Sequence, residues 1–552
     1  MNLPGSCPSS EMATENFDYI IVGAGSSGCT LANRLTEDGK TTVLLLEAGG
    51  RDWDPLIQVP LGWGKILSDR LHDWGYFTEP EPHLDQRKIE CARGKVIGGC
   101  SSINAMAYVR CHPEDFNRWA REGCDGWGYH DLLPYFKRQE TWQGGQSAVR
   151  GGDGPLSTTR NRYPDPLVDA WFDAGKAAGY PFNEDYNGEE NEGFSMMQST
   201  VGHGRRCSAA VGYLKPAMDR KNLSVRRNSL AVRVQIENGR AVGLDYTKGG
   251  RLLSVSANRE VILSGGVINS PQLLMLSGVG PSASLSENGI KTKVDLAGVG
   301  QNLQDHLSVG IEYERREDGP FVGYLRYDRI ALAMLEAYFL GTGFATEMPG
   351  PVLAFLKSDK NLSQPDIQFL TRFVPPESQP WFPGIRKKPN DAFMCRPVLL
   401  HPKSRGQLKL RSSDPSVPMA ICQNFLSEPE DWETFRTGFE MVREVAAQKP
   451  LDKFRGKELN PGSGCKTRTE IDKFIRRTAW TVHHPLGTCK MGADGDEMAV
   501  VDTQLRVRGL EALRVVDASV MPDMPGGNIN APVIAMAERA SDLIRGRDPL
   551  RV

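Results

Sequence analysis

No run of about 18 apolar residues occurs in this 552-residue chain, so the sequence predicts no membrane-spanning helix. The first 16 residues carry no apolar h-region, and they read as a frayed tail rather than a secretory signal. Cysteine forms no framework. The eleven residues are scattered and never spaced C-x-x-C, which predicts reduced thiols, mostly core filler, in a cytoplasmic protein. The nine histidines never fall at H-x-x-x-H or in a Cys/His cluster, so no metal site is expected. Net charge is scarce too. The 66 basic and 68 acidic residues leave −2, which argues against a nucleic-acid binder or a polybasic membrane anchor. What remains is ordinary globular composition, 39% hydrophobic and 24% charged, with room for more than one domain.

Glycine is the residue in excess, with 58 against the ~7% of average usage. Its placement is informative. Residues 18–22 form a short apolar run that reads as a buried parallel strand. Gly23, Gly25 and Gly28 then give G-x-G-x-x-G, and Leu31, Ala32 and Leu35 follow with helical spacing. A second apolar run, 42–46, closes on Glu47. Strand, glycine turn, helix, strand and acid make the full dinucleotide-binding context. The first glycine permits the turn, the second lets a pyrophosphate approach, and the third lets helix and strand pack. Ser26 and Ser27 open the helix, whose N-terminal amides favour phosphate. Glu47 is placed to accept from ribose hydroxyls, and an acid there disfavours a 2′-phosphate. The bland alternative is a glycine-rich turn in another α/β fold. No second complete fingerprint appears, since Gly202, Gly204 and Gly212 follow no strand in the pattern. One site favours a tightly held flavin over an enzyme shuttling both FAD and NAD.

Further along, Gly94, Gly98 and Gly99 with Ser101, Ser102 and Asn104 make a low-bulk loop suited to pressing against a flat ring system. Residues 222–263 read as β-rich with a hairpin at the Asn238-Gly239 turn. Residues 264–280 read as strand, turn and a helix from Ser270 with Pro271 at its first position. Residues 307–470 change character, with strand-like runs, clustered prolines and no glycine fingerprint. They read as most of a separate substrate domain. At the C-terminal end, a strand over 513–516 leads to Asp517, and a helix beyond Pro532 buries Ile534, Ala537, Ala540 and Ile544. His484 and Asn530 lie in polar turns within apolar sequence.

These blocks together resemble the glucose–methanol–choline (GMC) oxidoreductases, most closely the bacterial alcohol dehydrogenase and choline dehydrogenase-like members. The residues that carry the resemblance are VGAGSSGCTLANRLTE, LLLEAGG, RGKVIGGCSSINAMAYVR, SGGVINSPQLLMLSGVG, VGQNLQDH, HHPLGTCKMG and VVDASVMPDMPGGNINAP, in the family's order over 17–545. The resemblance implies an α/β (α+β) fold. A Rossmann-like FAD-binding domain is assembled from 17–160, 203–306 and 478–548. A substrate domain from 161–202 and 307–477 carries an antiparallel sheet flanked by helices. It implies FAD, and a cofactor wall that also takes in Ala48, Arg93, Ala105, Met106, Val232, Ser264, Gly265, His483, Asp517 and Ala518. It implies His484 as the base and Asn530 as the second group on the substrate oxygen. Histidine is the natural base for that proton near neutral pH, whereas an asparagine cannot act as a base but can hydrogen-bond the alkoxide and fix its pose. His306 reads as a residue that holds its turn.

Departures from the family pattern sharpen the expectation. Ile103 stands where some choline-oxidising members bond a histidine to the flavin, so FAD should be non-covalent. Cys100, beside the flavin, reads as packing. Pro351 stands at the place of the acid that meets choline's ammonium, and Glu347 sits about four residues early. Phe344, Phe355, Phe369, Phe373, Trp381, Phe382 and Phe393 suggest an apolar pocket. The expected reaction is oxidation of a neutral aliphatic, polyether or aryl primary alcohol, with O2, a quinone or another carrier as acceptor. A peripheral membrane contact stays open. A hydroxynitrile-lyase-like or light-driven decarboxylase activity is the alternative.

Overall fold

The computed structural model describes residues 15–375 and 378–551. Strand β1 (Glu15–Val22) opens the chain, so Glu15 and Asn16 belong to a strand rather than to the tail; residues 1–14 lie outside the described residues. Helix α1 (Ser26–Leu35) and strand β2 (Val43–Leu46) follow. The sheet continues with β3 (Leu223–Arg226), β4 (Ser229–Glu237), β5 (Arg240–Lys248) and β6 (Arg251–Leu263). The path across it is β3-β2-β1-β6-β5-β4, and Leu513–Val515 pairs with β6 as a seventh strand. Long β6 serves two purposes. Its first half pairs antiparallel with β5, and its end pairs parallel with Leu513–Val515, while β1 runs parallel to it from Val255 to Leu263. The β4–β5 hairpin turns at Asn238 and Gly239, both at positive φ, as a two-residue primed turn requires.

The parallel strands end together. Val22, Leu46, Leu263 and Val515 deliver Gly23, Glu47, Ser264 and Asp517 to one edge of the sheet, the crevice where α/β sheets bind ligands. Helix α2 (Gly266–Leu276) leaves β6 there. It begins four residues before the expected Ser270, and Pro271 lies inside it rather than at its start. A proline inside a helix orphans the carbonyl four residues back. That carbonyl is Val267 O, and the Thr488 hydroxyl donates to it at 2.6 Å, which makes the early start tolerable.

The second sheet is antiparallel and eight-stranded, drawn from residues 193–196 and 307–481. At its centre β7 (Val352–Leu356), β8 (Ile367–Arg372) and β9 (Ala392–Leu399) lie side by side. Helix α3 (Tyr327–Leu340) flanks the shared cavity, and α4 (Pro429–Ala446) packs on β9. Helix α5 (Asn530–Arg545) returns to the first sheet and packs on α1. There the buried Glu538 binds Arg34 at 2.8 Å and Arg138 at 2.7 Å. Gly204, read as following no strand, in fact turns a short hairpin between Val201–Gly202 and Arg205–Arg206. The ten described cysteines are all free. Among the described residues no helix is long and apolar enough to cross a membrane.

Candidate active site

A cavity of about 1460 Å³ runs between the two sheets. Ligand cavities commonly measure about 300–1,000 Å³, so this one has room for a cofactor and a substrate together. The residues expected to hold the cofactor or to act on the substrate oxygen line it, except Gly28, Val232 and, from the second glycine loop, Gly98, Ser101 and Ser102.

The glycine turn works by sterics. Gly23 sits at φ +100°, and a Cβ there would lie 2.4 Å from Ser264 O. A Cβ on Gly28 would lie 1.8 Å from Gly23 O, so Gly28 touches the turn and not the cavity. Gly25 has nothing within 4 Å of its Cβ position and opens on the cavity. A Cβ on Gly99 would meet Gly25 Cα at 2.8 Å, so the second glycine loop presses against the first. No side chain caps α1, and its N-terminal end, with Gly25, Ser26 and Ser27, borders the cavity. Ser27 Oγ, Ser264 Oγ and His483 Nδ1 have no hydrogen-bond partner within the protein. Open glycine, uncapped amides and orphaned polar atoms fit a phosphate-bearing cofactor.

The acid at the end of β2 is engaged already. Glu47 accepts from the amides of Ala24 and Gly49, both at 2.8 Å, and burial pushes its carboxyl up to about 7. Asp517 braces α2 by accepting from Gly266 N–H and the Ser270 hydroxyl. Asn104 caps the amide of Met106, and Ala48, Gly94, Ala105, Gly265 and Ala518 add small surfaces to the wall. Val232 is the extra residue of a β-bulge in β4, and its neighbours Leu230 and Ala231 reach the wall instead. Arg93 donates to His483 O at 2.6 Å and holds that residue at φ 64°, a backbone turn a histidine seldom adopts.

At the junction of the sheets, three groups fix His484. Buried Asp305 accepts its backbone amide at 2.8 Å. His306 Nε2 lies 2.9 Å from Leu400 O, and its Nδ1 lies 2.9 Å from Nδ1 of His484. A carbonyl only accepts, so the proton of His306 sits on Nε2 and its Nδ1 carries a lone pair. His484 therefore donates from Nδ1 and keeps the lone pair on Nε2. Burial, then the neighbouring His306 and Arg93, hold His484 well below 6.5, and burial holds His306 at about 3. Both rings are neutral. The group facing Nε2 is Asn528, whose Nδ2 lies 3.1 Å away. Asn530, the expected partner, instead opens α5 and accepts from the Ser26 hydroxyl at 2.7 Å.

The substrate end also departs from expectation. None of the seven aromatics lines the cavity. Phe344, Phe355, Phe369, Phe373 and Phe393 are buried in the core, Trp381 packs against it, and Phe382 is exposed. The wall there is Phe321, Leu325, Tyr327, Ile330, Met334, Met348, Leu370, Val374, Met394 and Trp480, with Arg372, Arg386 and Arg396. Pro351 stays behind Pro349 and Gly350, and Glu347 turns away to accept from the Arg162 amide at 2.7 Å. Ile103 and Cys100 both line the cofactor end.

Family models described as GMC oxidoreductase match residues 17–308 and 402–537. The chain belongs to the GMC oxidoreductases. Two oxygen-dependent choline dehydrogenases, from Sinorhizobium fredii and Rhizobium meliloti, are each 46% identical over 533 residues, covering 97% of this chain and 96% of theirs. Among solved structures, pyridoxine 4-oxidase from Mesorbium loti is 33% identical with a TM-score of 0.86, covering 97% of this chain and all of that one. Aspergillus oryzae formate oxidase is 27% identical with a TM-score of 0.89, covering 97% and 98%. FAD is the cofactor, and the chain is an FAD-dependent oxidoreductase of the alcohol-oxidising type.

Two residues of this GMC site escaped the sequence. Asn528 stands two positions from the expected asparagine. Arg206 is fully buried and donates to Ile57 O, Ser101 O and Asn104 O, tying the second glycine loop in place with no acid beside it. Neither residue carries a motif that names it.

Proposed function

We propose that this GMC oxidoreductase oxidises a primary alcohol to the aldehyde with His484 as the base. The observation that supports it most is the lone pair of His484 Nε2, fixed by the chain Leu400 O, His306 and His484 and met at the cavity wall by Asn528, whose amide a substrate hydroxyl would share. That lone pair accepts the hydroxyl proton, and Asn528 Nδ2 donates to the oxygen that loses it. Bound FAD supplies the acceptor for the hydride that leaves the carbinol carbon, so one proton and one hydride account for the two-electron oxidation. Neutral, rigidly held His484 needs no reorganisation to begin. The final electron acceptor would be O2, a quinone or another carrier, and turnover measured with each in turn distinguishes them.

Segments 17–160, 203–306 and 478–548 are proposed to hold FAD without a covalent bond, since Ile103 offers no bonding atom. Segments 161–202 and 307–477 are proposed to hold the substrate. Its body is apolar, an aliphatic, polyether or aryl carbinol, to suit Leu325, Ile330, Met348, Leu370 and Met394. The Sinorhizobium relative is named for choline, but the wall from 307–477 carries three arginines and no acid, which is unfavourable for a quaternary ammonium. A peripheral contact with an anionic membrane is supported by α3, which exposes Leu332, Leu335, Phe339 and Leu340, and by the exposed Arg386, bridged to Phe382 beside the start of α3. Vesicle flotation tests that contact.

The test of the function is a panel of primary alcohols with anaerobic bleaching of the yellow flavin. Bleaching with aldehyde formation supports the reading. Aldehyde without bleaching indicates a lyase, and turnover only under blue light indicates a decarboxylase. Denaturation should release free FAD.

A further inference from the structure

We propose that the far end of the alcohol carries a carboxylate, bound by Arg396 with Arg372 beside it. The inference rests on alcohol oxidation at His484 and names the substrate class for that site. Arg396 lies on β9 and pairs across the sheet with Leu370 of β8; Arg372 pairs with Met394. Alternate residues of a strand share a face, so all four side chains lie on one face, and all four line the cavity. The two guanidiniums are diagonal neighbours, a spacing of about 7–8 Å between such positions. Like charges so placed repel.

Among the buried arginines, Arg110, Arg150 and Arg315 meet acids, and Arg206 meets backbone carbonyls. Arg110 and Arg150 share Glu140, and Arg315 binds both oxygens of Asp165 at 2.7 Å. Arg396 has no such acid. It donates to the Ser308 hydroxyl and stacks 4.2 Å over the Trp480 ring, while its Nε has no partner. Arg372 reaches Glu312 only at 3.8 Å, and its Nε is also without a partner. Burial without a counter-charge pushes Arg396 down to about 9. A substrate that seals the cavity strips more water from these groups, which is costly unless it brings an anion of its own. A carboxylate matches the guanidinium fork in two hydrogen bonds, whereas a cation meets only repulsion. Arg396 is also near enough to His484 to depress its basicity, so an anion neutralising Arg396 would strengthen the base as the substrate binds.

Two measurements on the FAD-loaded enzyme test this. The first titrates unreactive straight-chain carboxylates into the resting enzyme and follows the flavin difference spectrum. Saturable binding is expected, weakened at least about tenfold in Arg396→Gln and partly restored in Arg396→Lys. No saturable binding, or binding indifferent to Arg396→Gln, overturns the proposal. The second compares anaerobic flavin reduction by a series of ω-hydroxy carboxylates with that by n-alkanols of matching length. The best hydroxy acid should exceed its neutral partner at least about tenfold in kcat/KM, and Arg396→Gln should collapse that ratio. Equal or better use of the neutral alcohols, or of choline, overturns it. If carboxylates bind through Arg396 while no alcohol reduces the flavin, the anion site stands and the oxidation reading falls. Arg372→Gln gives an independent reading should Arg396→Gln lose its FAD.

Discussion

Replacing His306 with phenylalanine removes the acceptor that keeps the proton of His484 on Nδ1. His306 is fully buried, at 0% exposure, and its own proton is committed to Leu400 O at 2.9 Å. In the variant, the Nδ1–H of His484 loses its partner at 2.9 Å, and among the described residues it has no second hydrogen-bond partner. A buried unpaired donor costs about 1–3 kcal/mol. The competing tautomer, with the proton on Nε2 and the Asn528 amide turned to accept it, avoids that cost and cannot accept a proton from the alcohol. A tilt of about 1–3 kcal/mol at 1.4 kcal/mol per decade lowers the competent fraction by ~5-fold to ~150-fold. Anaerobic stopped-flow reduction of the flavin should slow by that factor, with KM changed by less than about threefold, since His306 touches no substrate. His306→Gln keeps an acceptor oxygen and should recover part of the rate. FAD content separates this from misfolding. Reduction of FAD-loaded His306→Phe at the wild-type rate would refute the tautomer argument, as would equal slowing in both variants.

Three further outcomes follow from the same geometry. Asn528→Ala should slow flavin reduction roughly 10–10³-fold, whereas Asn530→Ala should mainly weaken FAD retention, because its oxygen is bound to Ser26; both are read from stopped-flow rates and FAD content. Gly28→Ala sets a methyl group 1.8 Å from Gly23 O, so the variant should lose FAD and soluble yield, and a stable yellow Gly28→Ala enzyme would count against the turn geometry. His484 is held below 6.5, so its neutral, proton-accepting form persists as pH falls through 6.5 and is lost only below. The acid limb of kcat/KM for flavin reduction should therefore lie below pH 6.5, and a limb at or above that value contradicts the assignment.

The residues legible in the sequence are those whose roles are steric or unique in chemistry. Gly23 and Gly28 are fixed by contacts that no side chain could share, and His484 is an ionisable ring in an otherwise apolar stretch. Asn528 and Asn530 could not be told apart that way. Both stand in GGNINAP two positions apart, and only the entry into α5 decides which meets His484 and which meets Ser26. The aromatics misled because their number was read without their alternation. On β9, Phe393 and Cys395 face the core, so Met394 and Arg396 must face the other way, into the cavity. The same period of two would have exposed the arginines. Pro271 misled because proline ordinarily marks a helix start, and nothing local reveals the Thr488 hydroxyl that relieves it.

The account stands most directly on His484. His484→Ala removes the proton acceptor while leaving the glycine turn, Glu47 and Asp517 in place. Measured on the FAD-loaded variant, anaerobic flavin reduction by the best primary alcohol should fall ~10²–10⁴-fold, with FAD content near that of the parent. A His484→Ala enzyme that keeps its FAD and reduces it at close to the parent rate would contradict the account.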